Sequence, residues 1–226
     1  MKINKSVTRV FLVASLAIIS SLAPINIVSD MQLLSVQVEA AQYQTIYYDN
    51  GEVYTGEVKN GKRDGYGTYE WNNGRVYTGY WKNNKANGYG YQTYPDGTVY
   101  EGQYKNGKLT SGTIYYADGS VYEGQCKGSK KDGYGTYEWK NGRVHTGYWK
   151  NDKANGYGTQ TYTDGTIYEG TYKNGKLTSG TIYYTDGSIY EGECNGSKRN
   201  GYGTMYYVDG TVYTGYWKNN KKAANG

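Results

Sequence analysis

Histidine occurs once in this chain, at His145, and cysteine twice, at Cys126 and Cys194. Nucleophilic catalysis needs a base beside the nucleophile and a third group to orient that base. With one histidine, such a grouping could form only if Cys126 or a turn aspartate approached His145. Metal ligation asks for clustered His or Cys side chains, and the sequence has no such cluster. Carboxylates are spread along the chain and not paired, which argues against a glycosidase dyad. Stretches such as Gly65-Tyr66-Gly67 look like phosphate loops but lack the strand–loop–helix context that makes one. These shortages point away from an enzyme and imply no cofactor.

Long apolar runs are also scarce. One runs from Val10 to about Leu22, preceded by Lys2, Lys5 and Arg9. Val38-Glu39-Ala40 ends in a small residue before Ala41-Gln42. Basic region, apolar region and V-x-A site together read as a helical secretory signal peptide over residues 1–40, cleaved near Ala40. The run is short for a bilayer span, which takes about 20 residues. The long segment from Pro24 to Glu39 leaves an uncleaved membrane anchor as the alternative. No cysteine follows the run and no hydrophobic tail or sorting motif closes the chain, so no lipid or wall anchor is expected. Length and style resemble a secreted Gram-positive protein, extracellular or associated with the cell wall.

Charge of one sign is in short supply as well. The chain is formally +5, with 25 basic and 20 acidic residues. Residues 1–40 hold three of the former and two of the latter, so residues 41–226 carry +4. That small excess, on an exported chain, argues against nucleic acid as a partner.

Glycine and tyrosine are abundant, at 34 and 31 residues. Tyrosine recurs every 22 or 23 residues with glycine two positions on: Tyr54-Thr55-Gly56, Tyr77-Thr78-Gly79, Tyr100-Glu101-Gly102, Tyr122-Glu123-Gly124, then Tyr168, Tyr190 and Tyr213. His145 takes the tyrosine's place once. A second mark, Gly-Tyr-Gly, ends at Gly67, Gly90, Gly135, Gly158 and Gly203, while two shorter units read Leu109-Thr110-Ser111-Gly112 and Leu177-Thr178-Ser179-Gly180. Units of 23, 23 and 22 residues make a block of 68 that recurs almost verbatim, as in Thr68-Tyr69-Glu70-Trp71 and Thr136-Tyr137-Glu138-Trp139. Duplication of a three-unit block accounts for this.

A fixed period of this length means a repeat architecture. The runs between glycine marks are rich in Tyr, Trp, Val, Ile and Thr, which favour strands. Asn-Gly or Asp-Gly joins each pair of runs, at Asn50-Gly51, Asn73-Gly74, Asp96-Gly97, Asp118-Gly119, Asn141-Gly142, Asp164-Gly165, Asp186-Gly187 and Asp209-Gly210. Such dipeptides supply the positive φ of tight hairpins. A lone hairpin is marginal, so neighbours must stack. The expected fold of residues 41–226 is all-β: an elongated, single-layer antiparallel sheet or solenoid of about eight hairpins. Two strands of ~4.8 Å per unit give roughly 75–80 Å in length. Alternation places Tyr77, Gly79 and Trp81 on a packed face and Val76, Thr78 and Tyr80 on the other. The Tyr and Trp series is therefore mainly structural, while Tyr80, Tyr148 and Tyr216 are the candidates for an exposed aromatic shelf.

The order Tyr-x-Gly, Asn-Gly-Lys, Gly-Tyr-Gly resembles the MORN (membrane occupation and recognition nexus) repeat family. Tyr54 to Gly67, YTGEVKNGKRDGYG, is close to that family's consensus, and the likeness runs from Tyr47 to the C-terminus. It implies a β-hairpin solenoid and no single activity; arrays of this family are linked to membrane association, lipid binding and self-assembly.

Cys126 and Cys194 share the repeat position held elsewhere by Trp or Tyr, three units apart. At ~4.8 Å per strand that is about 30 Å, beyond the reach of a disulfide. Both read as small buried hydrophobes, and His145 as a packing substitute for tyrosine. Lysine fills two positions near one edge in nearly every unit: Lys59 and Lys62, Lys82 and Lys85, Lys105 and Lys108, Lys127 and Lys130, Lys150 and Lys153, Lys173 and Lys176, Lys198 alone opposite Asn195, and Lys218 with Lys221. The Asp-Gly turns make the other edge mildly acidic. A double lysine row at ~10 Å intervals suits a linear polyanion, such as an anionic wall polymer or lipid headgroups. The same lysines would also keep a flat sheet soluble. The functional expectation is a multivalent binding or scaffolding module whose partner is such a polyanion or another protein. Alternatives are self-association through an uncapped β-edge, and carbohydrate binding through Tyr80, Tyr148 and Tyr216.

Overall fold

The computed structural model describes residues 41–223. The expected signal peptide lies outside the described residues. Strands β1 (Gln42–Tyr47), β2 (Val53–Lys59), β3 (Lys62–Glu70), β4 (Val76–Lys82), β5 (Lys85–Thr93) and β6 (Val99–Lys105) open the array. β7 (Lys108–Tyr115), β8 (Val121–Lys127), β9 (Lys130–Glu138), β10 (Val144–Lys150), β11 (Lys153–Thr161) and β12 (Ile167–Lys173) continue it. β13 (Lys176–Tyr183), β14 (Ile189–Asn195), β15 (Lys198–Tyr206), β16 (Val212–Lys218) and β17 (Lys221–Ala223) complete it. Each strand pairs antiparallel with the next, so the described residues form one open, meandering sheet.

The two edges use different turns. Between β2 and β3, Lys59 faces Lys62 across Asn60 and Gly61, whose φ angles are 50° and 68°. Two consecutive left-handed residues make the type I′ hairpin that matches strand twist. Asn83-Asn84 and Asn151-Asp152 do the same without glycine, since short amide and carboxylate side chains tolerate this region. On the opposite edge Tyr48 N–H donates to Glu52 O (2.9 Å) and Gly51 N–H to Tyr48 O (3.0 Å), while Gly51 alone has positive φ, 85°. This is a three-residue connection with glycine in the bulge position. The glycine of each Asn-Gly or Asp-Gly dipeptide supplies the positive φ expected of it, while the two-residue turns lie between the lysines. The Asn or Asp before glycine instead accepts the N–H two residues on, as Asp96 does from Thr98 at 2.8 Å, which is the Asx-turn habit.

The Tyr-x-Gly mark acts through a β-bulge. Register shifts between Gly56 and Val58, and again between Gly79 and Trp81. A bulge leaves one residue unpaired in the ladder. The motif tyrosine lies over the facing glycines and donates its hydroxyl to the displaced carbonyl: Tyr54 to Glu57 O (2.8 Å), Tyr77 to Tyr80 O (3.1 Å), Tyr122 to Gln125 O (2.7 Å) and Tyr190 to Glu193 O (2.8 Å). A Cβ on Gly56 would sit 2.7 Å from the Tyr54 hydroxyl and 2.6 Å from Tyr66 O, so only glycine fits. Tryptophan locks the next strand: Trp81, Trp149 and Trp217 donate Nε1–H to Gly67, Gly135 and Gly203 O at 2.9, 2.9 and 3.1 Å.

These aromatics form a one-sided core in two clusters, Tyr54 to Trp149 and Ala154 to Trp217, with His145 packed between them. Tyr77 meets Trp81 and Tyr104 edge to face at 5.1 and 5.0 Å between ring centroids. Tyr54, Tyr77, Tyr122 and Tyr190 are all buried, as are Trp81, Cys126, Trp149 and Cys194. The packed face is the one alternation assigns. The cysteines are free thiols in the tryptophan position, and burial pushes both up to about 11. His145 is fully buried, with Trp149 and Tyr172 edge to face at 5.1 and 4.6 Å.

Candidate functional site

The hairpin register brings the lysines together in pairs. Lys59 faces Lys62, Lys82 faces Lys85, Lys105 faces Lys108, Lys127 faces Lys130, Lys150 faces Lys153, Lys173 faces Lys176, and Lys218 faces Lys221. In the one remaining unit Asn195 faces Lys198. All these lysines are exposed. Among the described residues one of these lysines is ion-paired, Lys82 Nζ to Asp64 at 3.9 Å, while Asp152, in the turn between Lys150 and Lys153, pairs with Lys131 Nζ at 3.9 Å. Like charges directly opposite each other across a hairpin destabilise it, and here the arrangement recurs in seven units.

Carboxylates gather on the other edge. Asp118, Asp186 and Asp209 each accept a hydroxyl and an N–H from the residue two on, and this holds their carboxyls below the usual range. The molecule is thus polarised across its width while its net charge stays small.

The open face holds the proposed aromatic shelf. Tyr80, Tyr148 and Tyr216 are 51, 53 and 44 % exposed. The structure adds partners that the sequence reading passed over. Tyr66, Tyr134 and Tyr202, from the Gly-Tyr-Gly marks, face them directly, with ring centroids 5.4, 5.4 and 5.3 Å apart and edge to face. Tyr89 and Tyr157 stand on the next strands, exposed, their hydroxyls donated to Glu101 and Glu169. The alternation that puts Tyr80 outside also puts Tyr66 there, since its flanking glycines belong to the packed face.

Basic side chains also lie on the packed face, among them Arg75 and Arg143, each 3.7 Å over its neighbouring ring, Trp71 and Trp139. Arg63 sits 4.3 Å over the Tyr69 ring and 4.6 Å over Trp81; Arg199 sits 4.4 Å over Trp217. Lys131 occupies the equivalent place, 4.4 Å over Tyr137, donating to the Tyr116 hydroxyl at 3.2 Å, with Asp152 at 3.9 Å. Burial lowers its pKa. Two clefts, of about 300 and 480 Å³, open on this face at positions 68 residues apart, walled by Tyr162, Tyr168, Tyr172 and by Tyr94, Tyr100, Tyr104. Among the described residues no group of three His, Cys, Asp or Glu side chains is placed to hold a metal ion.

No curated protein matches the chain. Among solved structures it is similar to the TCP10 domain of Danio rerio CPAP in complex with a peptide of Danio rerio STIL: 18% identity, TM-score 0.43, covering 78% of this chain and 80% of that one. It is also similar to the SAS-4 (dCPAP) TCP domain of Drosophila melanogaster in complex with a proline-rich motif of Ana2 (dSTIL): 14% identity, TM-score 0.43, covering 84% and 97%. The family model of the MORN repeat matches residues 54–74, 77–99, 100–121, 122–142, 145–167, 168–189, 190–212 and 213–226. These eight matches coincide with the stacked hairpins, seven of which carry the paired lysines, and the chain belongs to the MORN repeat family.

Proposed function

We propose that this array is an exported, non-enzymatic binding and scaffolding module that grips a linear polyanion along its lysine edge. The observation that carries the reading is the set of seven directly opposed, exposed lysine pairs, of whose lysines Lys82 alone is ion-paired among the described residues. Each pair is a weak phosphate site that repels itself when empty, and an anion between the two ammonium groups relieves that repulsion. Repetition at ~10 Å along the sheet turns weak contacts into avidity. The ligand chemistry is phosphate in series, presented by an anionic wall polymer or by anionic lipid headgroups. The signal-peptide reading of residues 1–40 supports placement at the cell surface.

The test is sedimentation of the protein with purified cell walls, before and after removal of teichoic acid, and with anionic or neutral vesicles, across a salt series. Binding that weakens steeply with salt and vanishes with the teichoic acid supports the wall polymer; binding to anionic vesicles alone assigns the edge to lipid. Salt-insensitive binding, or none, overturns the proposal and returns these lysines to a solubility role.

A further inference from the structure

The open face carries a different chemistry. Its register lines up Tyr66, Tyr80 and Tyr89 on β3–β5, then Gln103, Ser111 and Gln125 on β6–β8, then Tyr134, Tyr148 and Tyr157 on β9–β11. Tyr202 and Tyr216 repeat the motif on β15 and β16. Six strands at ~4.8 Å separate successive clusters by about 29 Å. Between the first two clusters lies a shallow trough of about 350 Å³ lined by Ser111, Gly112, Glu123, Gly124, Gln125 and Tyr134.

We propose that the tyrosine clusters and the trough between them form a binding track for a glycan chain without acidic groups. Each cluster holds two half-exposed rings edge to face, a small apolar island on a polar sheet face. A pyranose has an apolar C–H face of similar size and a polar rim, and rigid tyrosines suit such amphipathic contact because little side-chain freedom is lost. The neighbouring groups suit the rim. Thr68 and Thr78 stand beside the first pair with hydroxyls 2.9 Å apart, Thr136 and Thr146 beside the second, also at 2.9 Å.

Charge decides what kind of chain fits. The strand positions flanking the clusters carry Glu57, Glu70, Glu101, Glu138 and Glu169, while the paired lysines line the edge. An acidic polymer would be repelled here, so this face and the lysine edge select different ligands. A protein partner is the poorer fit: a stable interface buries about 800 Å² per partner around a continuous apolar centre, whereas these islands are separated by polar strands.

The experiment is affinity electrophoresis through gels containing a soluble β-glucan or a soluble chito-oligomer, at low and high salt. Three proteins are compared: wild type, a variant with Tyr80→Ala, Tyr148→Ala and Tyr216→Ala, and one with Lys105→Gln, Lys108→Gln, Lys127→Gln and Lys130→Gln. Retardation of wild type by at least one glycan, insensitive to salt, kept by the lysine variant and weakened at least fivefold in the tyrosine variant, supports the track. The substituted tyrosines are exposed, and unchanged far-UV circular dichroism checks that the sheet persists; individual Tyr→Trp variants, which keep a flat ring, should retain binding. Retardation by neither glycan, equal retardation of the tyrosine variant, or loss in the lysine variant overturns it. So does a tyrosine-dependent change in sedimentation of the protein alone, which would mean that a second copy covers this face. Failure here leaves the lysine-edge reading untouched, because that reading is tested by salt-dependent sedimentation with walls and anionic vesicles.

Discussion

The hydroxyl of Tyr77 reaches the carbonyl oxygen of Tyr80, three residues on, at 3.1 Å. One side chain thereby roofs a glycine pair and satisfies the carbonyl that the bulge displaces. Tyr77→Phe keeps the ring and removes the donor, so it should cost about 1 kcal/mol. Tyr77→Ala also empties the core and should cost about 3–5 kcal/mol. Urea midpoints of the two variants measure the difference.

His145 stands in the same repeat position without that bond. Both ring nitrogens are buried and unpartnered. Burial, with the Arg143 charge nearby, pushes its pKa down to about 4. Between pH 6.5 and 4 the unfolded chain binds a proton that the folded chain refuses, so stability falls as pH drops through this window. The loss should reach about 2 kcal/mol by pH 5. His145→Tyr should add about 1 kcal/mol at pH 7 and abolish this part of the acid sensitivity. Paired urea titrations at pH 7 and pH 5 test both statements; an unchanged pH slope in the variant would refute the assignment.

Lys131 holds the place that Arg63 and Arg199 hold in other units, among aromatic rings. Lys131→Arg should therefore be tolerated within about 1 kcal/mol, and Lys131→Met likewise, since a hydrophobe of similar volume often replaces a buried charge without loss. Lys131→Glu would bury a carboxylate beside Asp152 and should cost at least about 3 kcal/mol. Thermal melts of the three variants rank them.

Cys126 and Cys194 are buried, with thiols raised to about 11. At pH 8 they should react with iodoacetamide on the order of 100-fold more slowly than a free thiol, because the thiolate is the nucleophile. Both should become reactive in urea. Mass spectrometry of the alkylated protein over time follows this, and fast labelling of the native chain would contradict the buried position.

Much of this molecule is legible in the residues because its contacts are local. Every strand pairs with its sequence neighbour, so period and alternation alone separate Tyr77 and Trp81 from Tyr80. The lysine rows could be read for the same reason. The turn dipeptides announce positive φ but not turn length, because Asn-Gly serves two geometries: at Asn60-Gly61 both residues are left-handed, whereas at Asn50-Gly51 only the glycine is. Hydrogen bonding across the hairpin decides between them, and no dipeptide encodes it.

Period and alternation dictate the all-β architecture, the number of units and the opposite sides taken by Tyr77 and Tyr80, because a hairpin repeat that cannot bury its rings alone can only stack. What the faces present follows from three-dimensional packing. It set lysine directly against lysine, paired Tyr66 with Tyr80 across two strands, and tucked Arg63, Lys131 and Arg199 beneath the rings. These outcomes depend on register and on where each bulge shifts it, and a one-residue slip would send every side chain to the opposite face.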